Sequence, residues 1–124
     1  MVHIRKCINS FCYAFKGLKL LVGSQNNARV HLLATVVALN AGFFLNILKT
    51  EWLWLLLAIA LVWITEAVNT ATEKLVDIIS PEYNAKAGQV KDLAAAAVII
   101  AGLFAFITGL ILFTPYIYTF FYRS

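Results

Sequence analysis

Thirty consecutive residues, Leu93 to Tyr122, carry no charged side chain. Wound as one helix they rise about 45 Å at 1.5 Å per residue, more than the ~30 Å hydrocarbon core of a bilayer. Few soluble folds can hide such a segment. The remaining composition removes the soluble option: 62% of the 124 residues are hydrophobic and only 13% are charged. A chain of this size cannot bury that much apolar surface inside itself. The expected fold class is therefore an all-α membrane protein.

Two further stretches extend this reading. Val30 to Leu48 is 19 residues without a charge, interrupted only by His31, Thr35, Asn40 and Asn46. Trp52 to Thr65 is 14 uncharged residues, after which the helical pattern continues with charges through Asp77. The N-terminus differs. Ile4, Ile8, Phe11, Cys12, Phe15, Leu18 and Val22 recur at helical spacing, while Arg5, Lys6, Asn9, Lys16 and Lys19 lie mostly off that stripe. That is a basic amphipathic helix, suited to lying in the interface, and it lacks the unbroken apolar core of a secretory signal. The chain is expected to be one domain over 1–124, with an interfacial helix at 1–23 and transmembrane helices at 28–48, 51–79 and 90–120. Gly23 to Asn27 reads as a turn, and Pro115 as a late kink or the end of the last helix. Asn40 and Asn46 are candidates to bridge helices, as buried amides in membranes seek partners. Ala94 to Ala97, with Gly88 and Gly102, form a small-residue face that favours close helix packing.

Three spans put the N-terminus and the second interhelical loop on one side. That side holds Arg5, Lys6, Lys16, Lys19, Arg29, Lys74, Lys86 and Lys91, against Lys49 and Arg123 opposite. The asymmetry predicts a cytoplasmic N-terminus. Trp52, Trp54, Tyr116, Tyr118 and Tyr122 fall at the outer boundary, as interfacial aromatics do. The net charge of +4 is thus explained by topology, and nucleic-acid binding is not expected. Cys7 and Cys12 lie too close along one helix for a disulfide and fit no metal spacing, so they are expected as buried or interfacial thiols.

The chemistry-bearing segment is Glu66 to Asp77. Glu66, Asn69, Glu73 and Asp77 stand at i, i+3, i+7 and i+11, within roughly 80° of one another on a helix. Counted from Glu51 at the outer surface, Glu66 lies about 22 Å down and Asp77 about 39 Å down. One polar stripe therefore descends from lipid depth into water. An acid at the depth of Glu66 must be paired, protonated or close to a cation. A divalent metal would relieve the repulsion between the acids, and oxygen-only ligands suit Mg²⁺, which keeps positions for water and phosphate. Phosphoryl transfer follows as the natural reaction, with the stripe as metal site, Lys91 as the cation and Glu66 as the base. The standard nucleotide-binding loops are absent. His31, near the inner start of its helix, is expected to pack or hydrogen-bond rather than to catalyse.

Glu66-Ala67-Val68-Asn69-Thr70-Ala71-Thr72-Glu73, then Asp77, Pro81-Glu82-Tyr83 and Val90-Lys91-Asp92 with Ala94 to Ala97, resemble the signature of the prokaryotic diacylglycerol kinase family, which includes undecaprenol kinases. Upstream, Tyr13-Ala14-Phe15-Lys16-Gly17-Leu18 and Asn27-Ala28-Arg29 extend the resemblance, which covers roughly residues 4 to 113. It implies a homotrimeric inner-membrane enzyme with sites between subunits at the cytoplasmic face. ATP with Mg²⁺ would be the donor and a lipid primary alcohol the acceptor. By position, the resemblance makes Glu66 the catalytic base and a lipid contact alongside Ala95. Glu73 becomes a metal ligand, and Asn69 and Asp77 site-shaping residues. Lys6, Tyr13, Gln25, Glu73, Glu82, Tyr83, Asn84, Lys91 and Asp92 become the nucleotide contacts. Two positions depart from the pattern. Gln25 stands where the family commonly has a metal-binding Glu, and by that position is a second metal ligand whose uncharged amide oxygen should bind more weakly; Asn84 stands where the family usually has His. Thr50-Glu51-Trp52 and Gly109 to Pro115 look more like the undecaprenol kinase branch, with diacylglycerol as the alternative acceptor. From another class, the buried acid would also suit a small ion- or proton-conducting protein, and the packing face a non-catalytic scaffold.

Overall fold

A computed structural model describes residues 1–123. The described residues form four helices and no strand: α1 (Ile4–Ser24), α2 (Asn26–Phe44), α3 (Lys49–Ile79) and α4 (Ala85–Tyr122). Helices α3 and α4 are long and apolar enough to cross a membrane. Helix α2 is not among these, because Asn26, Asn27, Arg29 and His31 occupy its first turns. The largest interface joins α3 to α4; α2 packs on α3, and α1 touches both α2 and α3.

Each junction has a local cause. The expected turn over Gly23 to Asn27 shrinks to Gln25 alone, which is extended (φ −115°, ψ 122°) between two helices. Arg29 closes this corner. Its Nε donates to the Val22 carbonyl at 3.0 Å, one Nη to the Gly23 carbonyl at 2.7 Å and the other to Asn26 Oδ1 at 3.3 Å. The two carbonyls are orphan acceptors at the C-terminus of α1, where a cation also suits the helix dipole.

The expected helix over 28–48 ends earlier, at Phe44. Asn46 has φ 51°, a left-handed conformation that Asn tolerates better than most residues. The Ile47 amide donates to the Gly42 carbonyl at 3.3 Å and the Asn46 amide to the Phe43 carbonyl at 3.4 Å. This is a Schellman C-cap. Asn46 therefore ends a helix instead of bridging two, and Asn40 donates to the Val36 carbonyl of its own helix. The cap drops Ile47 into a small core with Leu55 and Leu112. Gly42 lets Trp52 approach: a Cβ there would lie 2.7 Å from the indole.

At the start of α3 the Leu48 amide donates to Glu51 Oε1 at 2.9 Å, and the Tyr116 hydroxyl donates to the same oxygen, tying α4 to this end. At the other end Ser80 and Pro81 stop α3. Asn84 restarts the chain, its Oδ1 accepting from the amides of Lys86 at 2.9 Å and Ala87 at 3.3 Å. That is N-capping of the usual kind. Pro115 neither ends nor breaks α4, which continues to Tyr122.

Little of the chain is buried against itself. The stripe residues Ile4, Ile8, Phe11, Phe15 and Leu18 of α1 are exposed, and only Leu21 of that helix is buried. Cys7 and Cys12, expected as buried or interfacial thiols, are free and exposed on the same helix.

A graded acid ladder on α3

The four stripe residues share one face of α3, and their burial falls along it. Glu66 is 1% exposed and Asn69 8%, Glu73 is half-buried, and Asp77 is exposed. Their partners change with burial. Glu66 Oε2 lies 3.5 Å from Nε2 of His31 on α2. Asn69 Nδ2 donates to Glu73 Oε1 at 3.5 Å, within α3. Asp77 Oδ1 accepts from Lys91 Nζ of α4 at 2.5 Å.

The ladder thus faces a side chain of another helix at each end. The sealed acid meets an imidazole, which can be neutral, and the exposed acid meets an ammonium. The middle acid, Glu73, has no ion-pair partner among the described residues. Beside it, Asn69 Oδ1 and Thr70 Oγ1 are sealed and lack hydrogen-bond partners. An unpaired carboxylate next to an unpartnered amide oxygen is a donor set for a hard cation. No three His, Cys, Asp or Glu side chains converge as a metal cluster among the described residues. The oxygens present, the Glu73 carboxylate and Asn69 Oδ1, would suit a hard cation whose remaining positions are filled by water and phosphate.

Of the other candidates, only Lys91 forms a hydrogen bond to the ladder among the described residues. Gln25 is half-buried at the α1–α2 corner, and its side chain makes no capping hydrogen bond. Lys6 and Tyr13 lie exposed on α1, with Lys16 Nζ 5.8 Å from the Tyr13 ring centroid. Glu82 and Tyr83 are exposed in the link between α3 and α4, and Asp92 and Ala95 on α4. The Asn84 side-chain oxygen, Oδ1, is committed to its cap. Lys91, the expected phosphate cation, is held by Asp77; an ammonium has three N–H donors, so it can grip a phosphate oxygen as well.

Sequence reasoning missed two contacts. His31 reaching Glu66 was accessible in principle: an antiparallel α2 puts the inner start of one helix at the depth of the inner part of the other. The bond from Trp63 Nε1 to Thr35 Oγ1, at 2.9 Å, has no such signal, since each residue alone suits a membrane helix.

The chain is an apolar helical protein whose polar ladder runs from a sealed acid to an exposed one. Comparison with known proteins makes the class definite. The prokaryotic diacylglycerol kinase family matches residues 12–113. An undecaprenol kinase of Bacillus subtilis (strain 168) is 30% identical over 112 residues, 90% of this chain and 91% of that one. A diacylglycerol kinase of Escherichia coli (strain K12) is 33% identical over 86% of this chain and 88% of its own length. Another, from Synechocystis, is 36% identical over 86% of this chain, which spans 61% of that longer protein. The chain belongs to the prokaryotic diacylglycerol kinase family and is a lipid kinase, a phosphotransferase with an alcohol group as acceptor.

Proposed function

We propose that this kinase transfers the γ-phosphoryl group of ATP to the primary hydroxyl of undecaprenol. Glu66 takes the hydroxyl proton as the oxygen attacks phosphorus; the new P–O bond forms while the bond to the ADP oxygen breaks. Glu73 and Asn69, with Gln25, would hold Mg²⁺, which arrives with the nucleotide and neutralises phosphate charge. Lys91 grips the phosphates while Asp77 keeps its ammonium oriented. Lys6, Tyr13, Glu82, Tyr83, Asn84 and Asp92 line the nucleotide, and Ala95 the lipid. The observation that carries this reading is the ladder itself: a sealed acid for the proton, and an unpaired acid two turns nearer water for the metal.

We further propose a homotrimer in the cytoplasmic membrane, with sites between subunits, a cytoplasmic N-terminus and α2 as a third span. The unpartnered apolar stripe of α1 supports an interfacial position for that helix. The exposed small residues Ala95 to Ala97 of α4 suit close approach of a neighbouring helix.

Thr50 to Trp52 and Gly109 to Pro115 favour undecaprenol; relatives named as diacylglycerol kinases keep diacylglycerol as the second acceptor. Labelled ATP supplied with each lipid in parallel decides between them. Undecaprenol is expected to be turned over with the higher kcat/KM, and a preference for diacylglycerol would reverse the assignment. Glu66→Gln is expected to lose at least about 100-fold in kcat while staying folded, the usual scale for an acid–base group; near-normal turnover would remove Glu66 as base. Ion flux through vesicles without ATP would instead favour a conducting protein.

A further inference from the structure

His31 and Glu66 present one sealed polar atom each, Nε2 and Oε2, and these two atoms face each other at 3.5 Å. That is about 0.6 Å longer than a typical N–H···O bond, a gap a small side-chain adjustment closes. Neither atom has a hydrogen-bond partner among the described residues, and each is the other's nearest candidate. An N–H on Nε2 donated to the Oε2 of the carboxylate would satisfy both. The other Glu66 oxygen, Oε1, forms no hydrogen bond or ion pair among the described residues.

A second cross-helix contact lies one turn further along α2. The Thr35 hydroxyl donates to the His31 carbonyl at 2.7 Å and accepts from Trp63 Nε1 of α3 at 2.9 Å. Two cross-helix contacts, His31–Glu66 and Thr35–Trp63, therefore set α2 against α3 at this level. His31 also lines a groove of about 310 Å³ between α2, α3 and α4, whose walls are otherwise apolar apart from Thr35. A lipid-like chain in that groove would have His31 at its polar margin.

We propose that His31 is a positioning residue for Glu66: its imidazole holds Oε2 so that Oε1 is presented to the acceptor hydroxyl. This rests on Glu66 being the base. Misplacing a catalytic group by about 1 Å can cost on the order of 100-fold, so losing the tether should act on kcat.

The test uses the full chain in lipid nanodiscs, with ATP and undecaprenol as substrates. His31→Ala is expected to lower kcat by about 10- to 100-fold and to leave the KM for ATP within about twofold. His31→Gln, whose amide N–H can reach the same oxygen, is expected to recover most of that loss. Independently of turnover, the ¹⁵N resonance of the His31 ring is expected to move in Glu66→Gln, which alters the partner but keeps its shape. Full activity of His31→Ala beside an inactive Glu66→Gln overturns this inference alone. An active Glu66→Gln overturns the underlying assignment of the base. Equal losses in His31→Ala and His31→Gln, or a ring resonance indifferent to Glu66→Gln, also overturn the tether.

Discussion

Glu73→Gln isolates charge from shape. The substitution keeps the volume, and the new amide oxygen can still accept from Asn69 Nδ2, which meets Glu73 Oε1 at 3.5 Å. The side chain is half-buried and pairs with no cation among the described residues, so folding loses no ion pair. Stability should change by no more than about 0.5–1 kcal/mol. The metal should respond far more. Removing an outer-shell partner already costs a metal site about 10–100-fold in affinity, and an anionic ligand should cost at least that. In free energy this is about 1.4–2.7 kcal/mol. The assay is a Mg²⁺ titration of ATP-dependent lipid phosphorylation, beside thermal unfolding in the same detergent. The half-saturating Mg²⁺ concentration is expected to rise by at least about tenfold, with the melting temperature nearly unchanged. Asp77→Asn is the internal control: its acid is already neutralised by Lys91, so the Mg²⁺ dependence should shift much less. An unchanged Mg²⁺ requirement in Glu73→Gln, or a larger shift in Asp77→Asn, would refute the reasoning from pairing.

Three further outcomes follow from the junctions. Asn46→Val should destabilise the α2–α3 turn by about 1–2 kcal/mol, the cost of a left-handed residue, whereas Asn46→Gly should be tolerated; chemical unfolding in detergent distinguishes them. Arg29→Ala uncaps the carbonyls of Val22 and Gly23 and should speed amide exchange in the last turn of α1 without changing exchange in α3. Gly42→Ala forces the indole of Trp52 away from a 2.7 Å contact; the overpacking cost of about 1–3 kcal/mol should outweigh the helix-propensity gain of about 1 kcal/mol in the same unfolding measurement.

The all-helical class was legible because apolar run length and helical periodicity are properties of the chain alone. The ladder was legible for the same reason: residues three, four and seven apart share a helix face wherever the helix goes. Junctions were less so. Asn46 looked like a membrane amide in need of a partner, and nothing local distinguishes that from a C-cap until Ile47 has a core to enter. Gln25 alone separates α1 from α2 because Arg29 reaches back over the corner, a contact that depends on where the two helices point. The pairing of Lys91 with Asp77, fourteen residues apart across a turn, requires knowing that α4 returns alongside α3. Sequence spacing placed both residues at one boundary but not in contact.

The choice of partner along the ladder follows from what each depth permits. Keeping an ammonium charged out of water costs several kcal/mol, so a lysine opposite the sealed Glu66 would be costly unless the pair were nearly perfect. An imidazole avoids that cost, because a neutral ring can still donate an N–H to the carboxylate. Facing Asp77 the condition is reversed. The side chains there are 65% exposed for Asp77 and 38% for Lys91, so both can remain charged, and the bond contributes only about 0–1 kcal/mol to folding. Such a pair serves better as a tether for Lys91 than as a source of stability. Glu73 lies between these regimes, too wet to require a neutral partner and without a fixed cation of its own. It is the one acid of the ladder whose charge is still available to something that binds.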